Sequence, residues 1–593
     1  MAPLVEINPE QVNNAPHPVK DDQARVRSSY ENQGTVMTPA QRARWGIHGL
    51  APTRVETLDI QKRRAMRLLR SKATPLEKYI FMAQMRTTHT HLFYKIVIEE
   101  LEELAPVIYT PTVGTACLEY SNIYPFLAAP GVSDGLYLTS SGQEDLVTMI
   151  KQYQPFPNEH FQPEIAVISD GSRILGLGDL GVNGIGIPIG KLQLYVAGAG
   201  IDPRKTLPII LDLGTNNSAF LEDDFYLGLR QRRPDDPEFY EAVERVIQSI
   251  HQVYPDIMIQ FEDWSSEHAF GLLEKYQKKM LCFNDDIQGT GAVILSGVIN
   301  AIRKVQKESG VLPPDHRVVF YGAGSAAIGV ARQIQEYFQI EHGLSEDQAK
   351  KVFWIVDSKG LVTLDRGDNL AQHKVYYARD DNEGQQYKDL MAIVDYVRPT
   401  CLIGLSSIPG AFTPAVLTKL GSLNQQPIVF PLSNPATQAE CSFAQAMEAT
   451  SGRVIFASGT AFPAYTTPDG KTHIPGQGNN MYIFPGLGLG AVLAKPSYIS
   501  DRMIYAAAKA LADSLEPEEV AQGWLYPTLH RIRQVSAIVA AAVCREALEE
   551  NLAQAPDVVA LKSEPEAKLL NLVIQQMWCP DALAAPQPST SRI

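Results

Sequence analysis

At 593 residues the chain is too long for one compact core, so two or more domains are expected. Hydrophobic residues at 45% and charged residues at 20% make an ordinary soluble globular composition. A net charge of −14 argues against general binding to phosphate backbones, so nucleic acid is not an expected partner, and an anionic substrate would need a local positive pocket.

Residues 1–35 lack a secretory apolar core, carry early acids that disfavour a mitochondrial presequence, and read as a flexible tail. From about Asp59 to Leu104 apolar residues recur at helical spacing, as in "LEKYIFMAQMRTTHTHLFYKIVIEELEEL", which predicts a helical N-terminal region. It is closed by "PVIYTPTVG", read as a short strand and turn with Tyr109 at the strand end beside Pro111. Apolar runs then alternate with helical stretches: "EIAVISD", "LPIILDL", "DIMIQFED" and "KMLCFND" predict parallel β-α units. A second series opens at Gly289 with a long helix and continues with "RVVFYGAG", "KVFWIVD", "TCLIGLS", "PIVFPLSNP" and "RVIFASGT". The last three residues, Ser591-Arg592-Ile593, only loosely echo a peroxisomal terminus and follow a Pro/Ser-rich tail. No apolar run approaches the length of a membrane span, so no membrane partner is expected. The six cysteines are scattered without a C-x-x-C pair, which fits a reducing intracellular compartment.

Two adjacent aspartates in "MLCFNDDIQGT" and a Glu–Asp pair in "QFEDW" each end a buried-type strand. In an open α/β sheet the carboxyl ends of neighbouring strands line the ligand crevice. Glu262, Asp263, Asp285 and Asp286 would then converge, and clustered carboxylates repel unless a cation, usually divalent, sits among them.

The text "VVFYGAGSAAIGVARQI" sets Gly322-x-Gly324-x-x-Ala327 between a strand and a helix, the arrangement that brings backbone N–H groups to a pyrophosphate. The next strand ends at Asp357, placed to meet an adenosine ribose, with "HGLSEDQAK" read as a helix extension. "GLGDLG" matches the same pattern but is followed by "VNGIGIPIG", which does not read as a helix. Its surroundings hold seven glycines from Gly171 to Gly190, flanked by Arg173 and Lys191, and read as a loop. Asn434 in "PLSNPA" and Asn479 in "PGQGNNMYIFPG" sit in turn-like text, where an Asn after a strand can also bind nicotinamide or a carboxylate.

Together these residues resemble the malic enzyme family, from about Thr38 to Glu549. The matching blocks include "RILGLGDLG", "GKLQLYVAGAGI", "FEDW", "FNDDIQGT", "PLSNP" and "GQGNNMYIFPG", in family order. The resemblance implies oxidative decarboxylation of L-malate to pyruvate and CO2 with NADP or NAD and with Mn2+ or Mg2+. It implies metal ligands at Glu262, Asp263 and Asp286, a general base at Lys191, a general acid at Tyr109, and a supporting role beside the metal for Asp285. Malate carboxylates fall to Arg173, Asn434 and Asn479, and the cofactor to Gly322, Gly324, Ala327, Asp357, Ser358, Lys359 and Asn434. Burial, the metal and Arg173 are expected to lower the Lys191 pKa from its usual value near 10.4.

NADP preference is expected, because "VDSKG" follows Asp357 with Ser358 and Lys359, and Lys374 lies further along the loop. The expected architecture is α/β: a helical domain over 36–127, a split substrate and metal domain over 128–284 and 480–550, a Rossmann-type domain over 285–479, and a C-terminal helix and tail over 551–593. A cytoplasmic homo-oligomer, dimer or tetramer, is expected. The rivals are malolactic chemistry, with the cofactor retained and lactate released, and a catalytically silent dinucleotide-binding regulator.

Overall fold

The computed structural model describes residues 26–581 apart from 130, 140–144, 157–160, 368, 369, 371 and 435. The chain ends at 1–25 and 582–593, including the Ser591-Arg592-Ile593 terminus, lie outside the described residues.

The N-terminal region is helical, with helices Leu58–Arg70, Pro75–Thr88, Thr90–Glu99, Leu101–Ile108 and Thr112–Leu118. The second of these begins at a capping box in which Thr74 and Glu77 satisfy each other's backbone N–H groups. Buried Phe93, Ile96, Val97, Leu101, Leu104 and Ile108 follow the helical repeat and turn one stripe to the core. The strand expected in "PVIYTPTVG" is instead the end of the helix Leu101–Ile108, with Pro106 inside it. Val107 and Ile108 are buried there, and packing overrides their β preference. Residues 26–35, read as part of a flexible tail, are also packed. Tyr30 is buried, and its hydroxyl accepts a hydrogen bond from the Trp578 indole at 2.9 Å, while the Trp578 amide donates to the Gly200 carbonyl at 2.6 Å.

The first sheet contains β1 (Leu136–Thr139), β2 (Ile165–Ser169), β3 (Thr206–Asp212), β4 (Met258–Phe261) and β5 (Cys282–Asn284). Its order is β1-β3-β2-β4-β5 and every pairing is parallel. Both faces are covered, which is why its strands read as unbroken apolar runs. Along β2, Ile165 and Val167 join one core while Ala166 and Ile168 join another, formed with the helix Asp236–Val253.

The second sheet is built on β6 (Val318–Tyr321), β7 (Phe353–Asp357), β8 (Gly360–Leu361), β9 (Cys401–Gly404), β10 (Ile428–Pro431) and β11 (Ile455–Ser458). A hairpin of β12 (Tyr465–Thr466) and β13 (Thr472–His473) leads to a short edge strand, β14 (Gly476–Gln477). The order β14-β11-β10-β9-β6-β7-β8 is that of a doubly wound dinucleotide-binding sheet, with β8 the one antiparallel member. The expected extension before β7 is a separate helix, Glu346–Lys350, started by a Ser345 capping box after Gly343 ends the preceding helix Ser325–His342. The chain then returns through helices Phe484–Ala494, Asp501–Asp513 and Ile532–Glu549, which share one apolar core with both sheets.

Candidate active site

β4 and β5 are neighbours, with Phe261 opposite Asn284, so the acids that follow each strand emerge side by side. Asp285–Gly289 forms one wide π-type turn before the helix Thr290–Ser309, and the Asn284 side chain accepts the Ile287 N–H at 3.0 Å to start it. Such turns recur at functional sites because they re-aim side chains. Here the two aspartates part company: Asp285 Oδ2 accepts from Lys191 Nζ at 2.5 Å, whereas Asp286 Oδ2 accepts from the Asp263 N–H at 2.8 Å.

Lys191 is buried, and its Nζ also lies 3.0 Å from Glu262 Oε1. Of the glycine-rich text expected to be a loop, residues 171–180 are turns and loop, whereas Gly181–Ile185 is a 3₁₀ turn running straight into the helix Gly186–Ala199 that carries Lys191. Gly190 explains one of those glycines, since a Cβ there would stand 2.9 Å from the Tyr109 ring. That close approach brings Lys191 Nζ within 5.4 Å of the Tyr109 ring centre and 4.6 Å of the Phe484 ring centre.

The electrostatics of the lysine differ from expectation. Burial pushes the ammonium down, but the charges of Asp285 and Glu262 outweigh it and hold Lys191 well above the usual lysine range. Arg173 is exposed, with Nη1 donating to Ser266 Oγ at 2.5 Å, and its charge acts on Asp263 and Asp286. Burial drives the Tyr109 hydroxyl well above the ordinary phenol range, so it stays protonated.

Carboxylate oxygens of Glu262, Asp263 and Asp286 all come within 4.8 Å of one another. Burial raises the pKa of each well past or above its ordinary value, and the neighbouring carboxylates push the same way. Asp263 is held with a φ of +54°, its Oδ2 accepting from the Leu175 N–H at 3.1 Å. The second oxygen of Asp285, Oδ1, is buried without a hydrogen-bond partner among the described residues. An all-oxygen donor set this crowded fits a hard divalent cation.

Asn480, passed over in the sequence in favour of its neighbour, reaches the centre: its Nδ2 donates to Asp285 Oδ2 at 2.9 Å and to Thr290 Oγ1 at 3.0 Å. Asn479 Oδ1 accepts the Met481 N–H at 3.0 Å. Asn434 is exposed after β10, its amide facing the Cα of Gly459, where a Cβ would come within 2.8 Å.

On the second sheet, Gly322 has a φ of +127°, and a Cβ there would meet the Leu405 carbonyl at 2.4 Å, so only glycine lets β6 and β9 diverge at this point. Gly324 leads into the helix Ser325–His342 with open space on its Cβ side, and Ala327 is buried beneath. Asp357 is not a free carboxylate. Arg366 donates to both its oxygens at 2.8 and 2.9 Å, Lys374 Nζ adds a contact at 2.9 Å, and the Lys359 N–H another at 2.9 Å. Burial alone would raise its pKa, but Arg366 and Lys374 take it down to about 2. Ser358 and Lys359 are exposed beside it. Arg366 carried no sequence signal; it lies nine residues past Asp357 on the loop after β8.

A buried lysine and tyrosine against an acidic cluster, in a chain that also carries a dinucleotide-binding sheet, define a nicotinamide-dependent oxidoreductase. Comparison makes the class specific. The chain matches the family model "Malic enzyme, N-terminal domain" over residues 86–277 and "Malic enzyme, NAD binding domain" over 287–548. It is 48% identical over 531 residues to the NADP-dependent malic enzyme of Dictyostelium discoideum, covering 90% of this chain and 94% of that one. It is 41% identical over 529 residues to NADP-dependent malic enzyme 3 of Arabidopsis thaliana, covering 89% and 87%. The fold matches the crystal structure of Entamoeba histolytica malic enzyme with a TM-score of 0.54 at 22% identity, over 88% of this chain and 92% of that one. The chain belongs to the malic enzyme family, oxidoreductases that decarboxylate malate.

The buried ion pair makes a stability prediction. Asp285→Ala removes the nearer of the two carboxylates that hold the buried Lys191 and leaves Glu262 alone, so the cost should lie below the about 3–5 kcal/mol of a fully uncompensated buried charge. Denaturant unfolding of metal-free protein is expected to show a lowered midpoint, and an unchanged midpoint would refute the pairing.

Proposed function

We propose that this chain converts L-malate to pyruvate and CO2 with NADP as hydride acceptor. The observation that carries the reading is the contact of Lys191 with Asp285 and Glu262, under the Tyr109 ring and beside the remaining acids. As hydride leaves malate C2 for the nicotinamide, Lys191 takes the C2 hydroxyl proton; it can do so only as the neutral amine, so the ammonium held by Asp285 and Glu262 must first give up its proton, which a cation bound among the neighbouring acids would favour. The C3–C4 bond of the resulting keto acid then breaks, CO2 departs, and the electron pair becomes an enolate that Tyr109 protonates at C3. Glu262, Asp263 and Asp286 would hold Mn2+ or Mg2+, whose Lewis acidity stabilises negative charge on the C2 oxygen. Arg173 suits the role of carboxylate clamp because its planar fork binds two oxygens at once, and Asn434 and Asn479 complete the substrate and nicotinamide contacts. Asn480 and Asp285 orient the lysine. Cytoplasmic residence and a homo-oligomeric state, dimer or tetramer, are part of the same proposal; the free cysteines among the described residues fit a reducing compartment.

NADP is favoured by the charge around Asp357. Arg366 and Lys374 both engage the Asp357 carboxylate, so its charge is already paired where a 2′-phosphate would approach. The names of the relatives, NADP-dependent malic enzymes, support the same reading.

The reaction is tested by supplying malate, Mn2+ and each nicotinamide cofactor and following reduced cofactor and pyruvate together; lactate without net cofactor reduction would instead mean malolactic chemistry. Chelation should abolish turnover and Mn2+ or Mg2+ restore it, with Asp286→Asn losing metal affinity while keeping its fold. Full activity without metal would defeat the acid-cluster assignment.

Lys374→Ala should lower kcat/KM for NADP about tenfold, the equivalent of about 1.4 kcal/mol, with little change for NAD. Arg366→Ala should cost NADP more, because it also releases the Asp357 charge against the phosphate. Equal losses for the two cofactors would disprove the phosphate role.

Lys191 and Tyr109 should fail at different steps. Lys191→Ala should slow malate oxidation by about 10²–10⁴ and spare decarboxylation of supplied oxaloacetate, whose ketone already exists. Tyr109→Phe should instead slow exchange of the pyruvate C3 hydrogens with solvent. Wild-type rates in the assigned step would remove that assignment.

A further inference from the structure

Gln260 is the one polar side chain along β4 (Met258–Phe261), an interior strand of a sheet covered on both faces, and it is fully buried. A buried amide in such a position must find partners or lose stability. Its Nε2 donates to Glu262 Oε2 at 2.7 Å, and its Oε1 accepts from the Tyr195 hydroxyl at 2.5 Å. Glu262 Oε1 in turn faces Lys191 Nζ at 3.0 Å. The four residues close a ring between two elements. Lys191 and Tyr195 lie one turn apart on the helix Gly186–Ala199, about 6 Å of rise, and Gln260 and Glu262 lie two residues apart along the chain from β4, about 6.6 Å. Because these spacings nearly match, each helix residue meets its own strand partner.

We infer that Gln260, oriented by Tyr195, is a positioning residue that divides the two oxygens of Glu262, keeping Oε2 on the amide so that the carboxylate cannot turn both oxygens onto Lys191. The direction of the amide follows from its neighbours. Only the NH2 end can face a carboxylate, which leaves the carbonyl end for a hydroxyl donor. Burial pushes the Tyr195 phenol well up, so it remains protonated and donates. In this arrangement the general base and a carboxylate of the proposed cation site are held in register by one shared contact, and the Gln260–Tyr195 pair prevents that contact from collapsing into a closed lysine–glutamate pair.

This inference rests on the proposed metal role of Glu262, and direct Mn2+ binding to the full-length, substrate-free protein separates the two. Free Mn2+ is followed by its electron paramagnetic resonance signal, and NADPH binding by fluorescence in the same samples. Wild-type protein should bind Mn2+. Gln260→Leu should bind it about 10–100-fold more weakly, the usual range for loss of a group that orients a ligand, with NADPH affinity unchanged. Tyr195→Phe removes one oxygen and should weaken Mn2+ less. The double variant should be no worse than Gln260→Leu alone, since Tyr195 acts through the amide. Wild-type Mn2+ affinity in Gln260→Leu, or parallel loss of Mn2+ and NADPH binding, overturns the positioning role; additive losses in the double variant overturn the linkage to Tyr195. A wild-type protein that binds no Mn2+ overturns the metal reading and this inference with it.

Discussion

One buried ammonium among four carboxylates is the constraint around which this molecule is organised. Lys191 touches Asp285 and Glu262, while Asp263 and Asp286 stand beyond them, felt by Lys191 and Arg173 only at longer range. Such a cluster has an excess of negative charge out of water, where repulsion is least screened. It persists because backbone geometry fixes every member: two parallel strands deliver the acids side by side, a wide turn separates the adjacent aspartates, and a glycine-spaced helix delivers the lysine. The same crowding of carboxylates that costs electrostatic free energy is what would favour a cation among them.

The two sheets divide the work in a way that suits the chemistry. The first collects the buried lysine, the tyrosine and the acid cluster; the second holds the switch point at Gly322, where β6 and β9 part, and the Asp357 carboxylate held by Arg366 and Lys374. Helices after β14 cross from the second sheet back to the first and join one apolar core with both. Asn480, at the start of that return, donates directly to Asp285, so the segment that links the sheets also completes the site.

Much of this was legible from residue order. The apolar runs of β2 to β7 and β9 to β11 stand out because both faces of each sheet are covered, and the acids that end β4 and β5 announce a crevice; the two-residue β8 carries no such run. What escaped did so for physical reasons. Val107 and Ile108 look like strand residues, but burial against the core keeps them helical. Seven glycines looked like a loop, though the helix carrying Lys191 uses Gly190 to admit the Tyr109 ring. The pKa of Lys191 could not be anticipated without knowing that Asp285 and Glu262 both contact it. Arg366 and Lys374 reach Asp357 through loop geometry that has no periodic signature, whereas Gln260, a lone amide in an apolar run, was a signal that went unread.

The pinning of Trp578 reaches further than its position near the chain end implies. Its indole and amide tie the C-terminal segment both to Tyr30 and to the carbonyl of Gly200, the residue that ends the Lys191 helix. A polypeptide fused close behind residue 581, or a deletion that removes Trp578, therefore acts on the far end of the helix that holds Lys191. Designers of tagged or shortened forms should treat that segment as part of the support of the buried lysine rather than as a free attachment point.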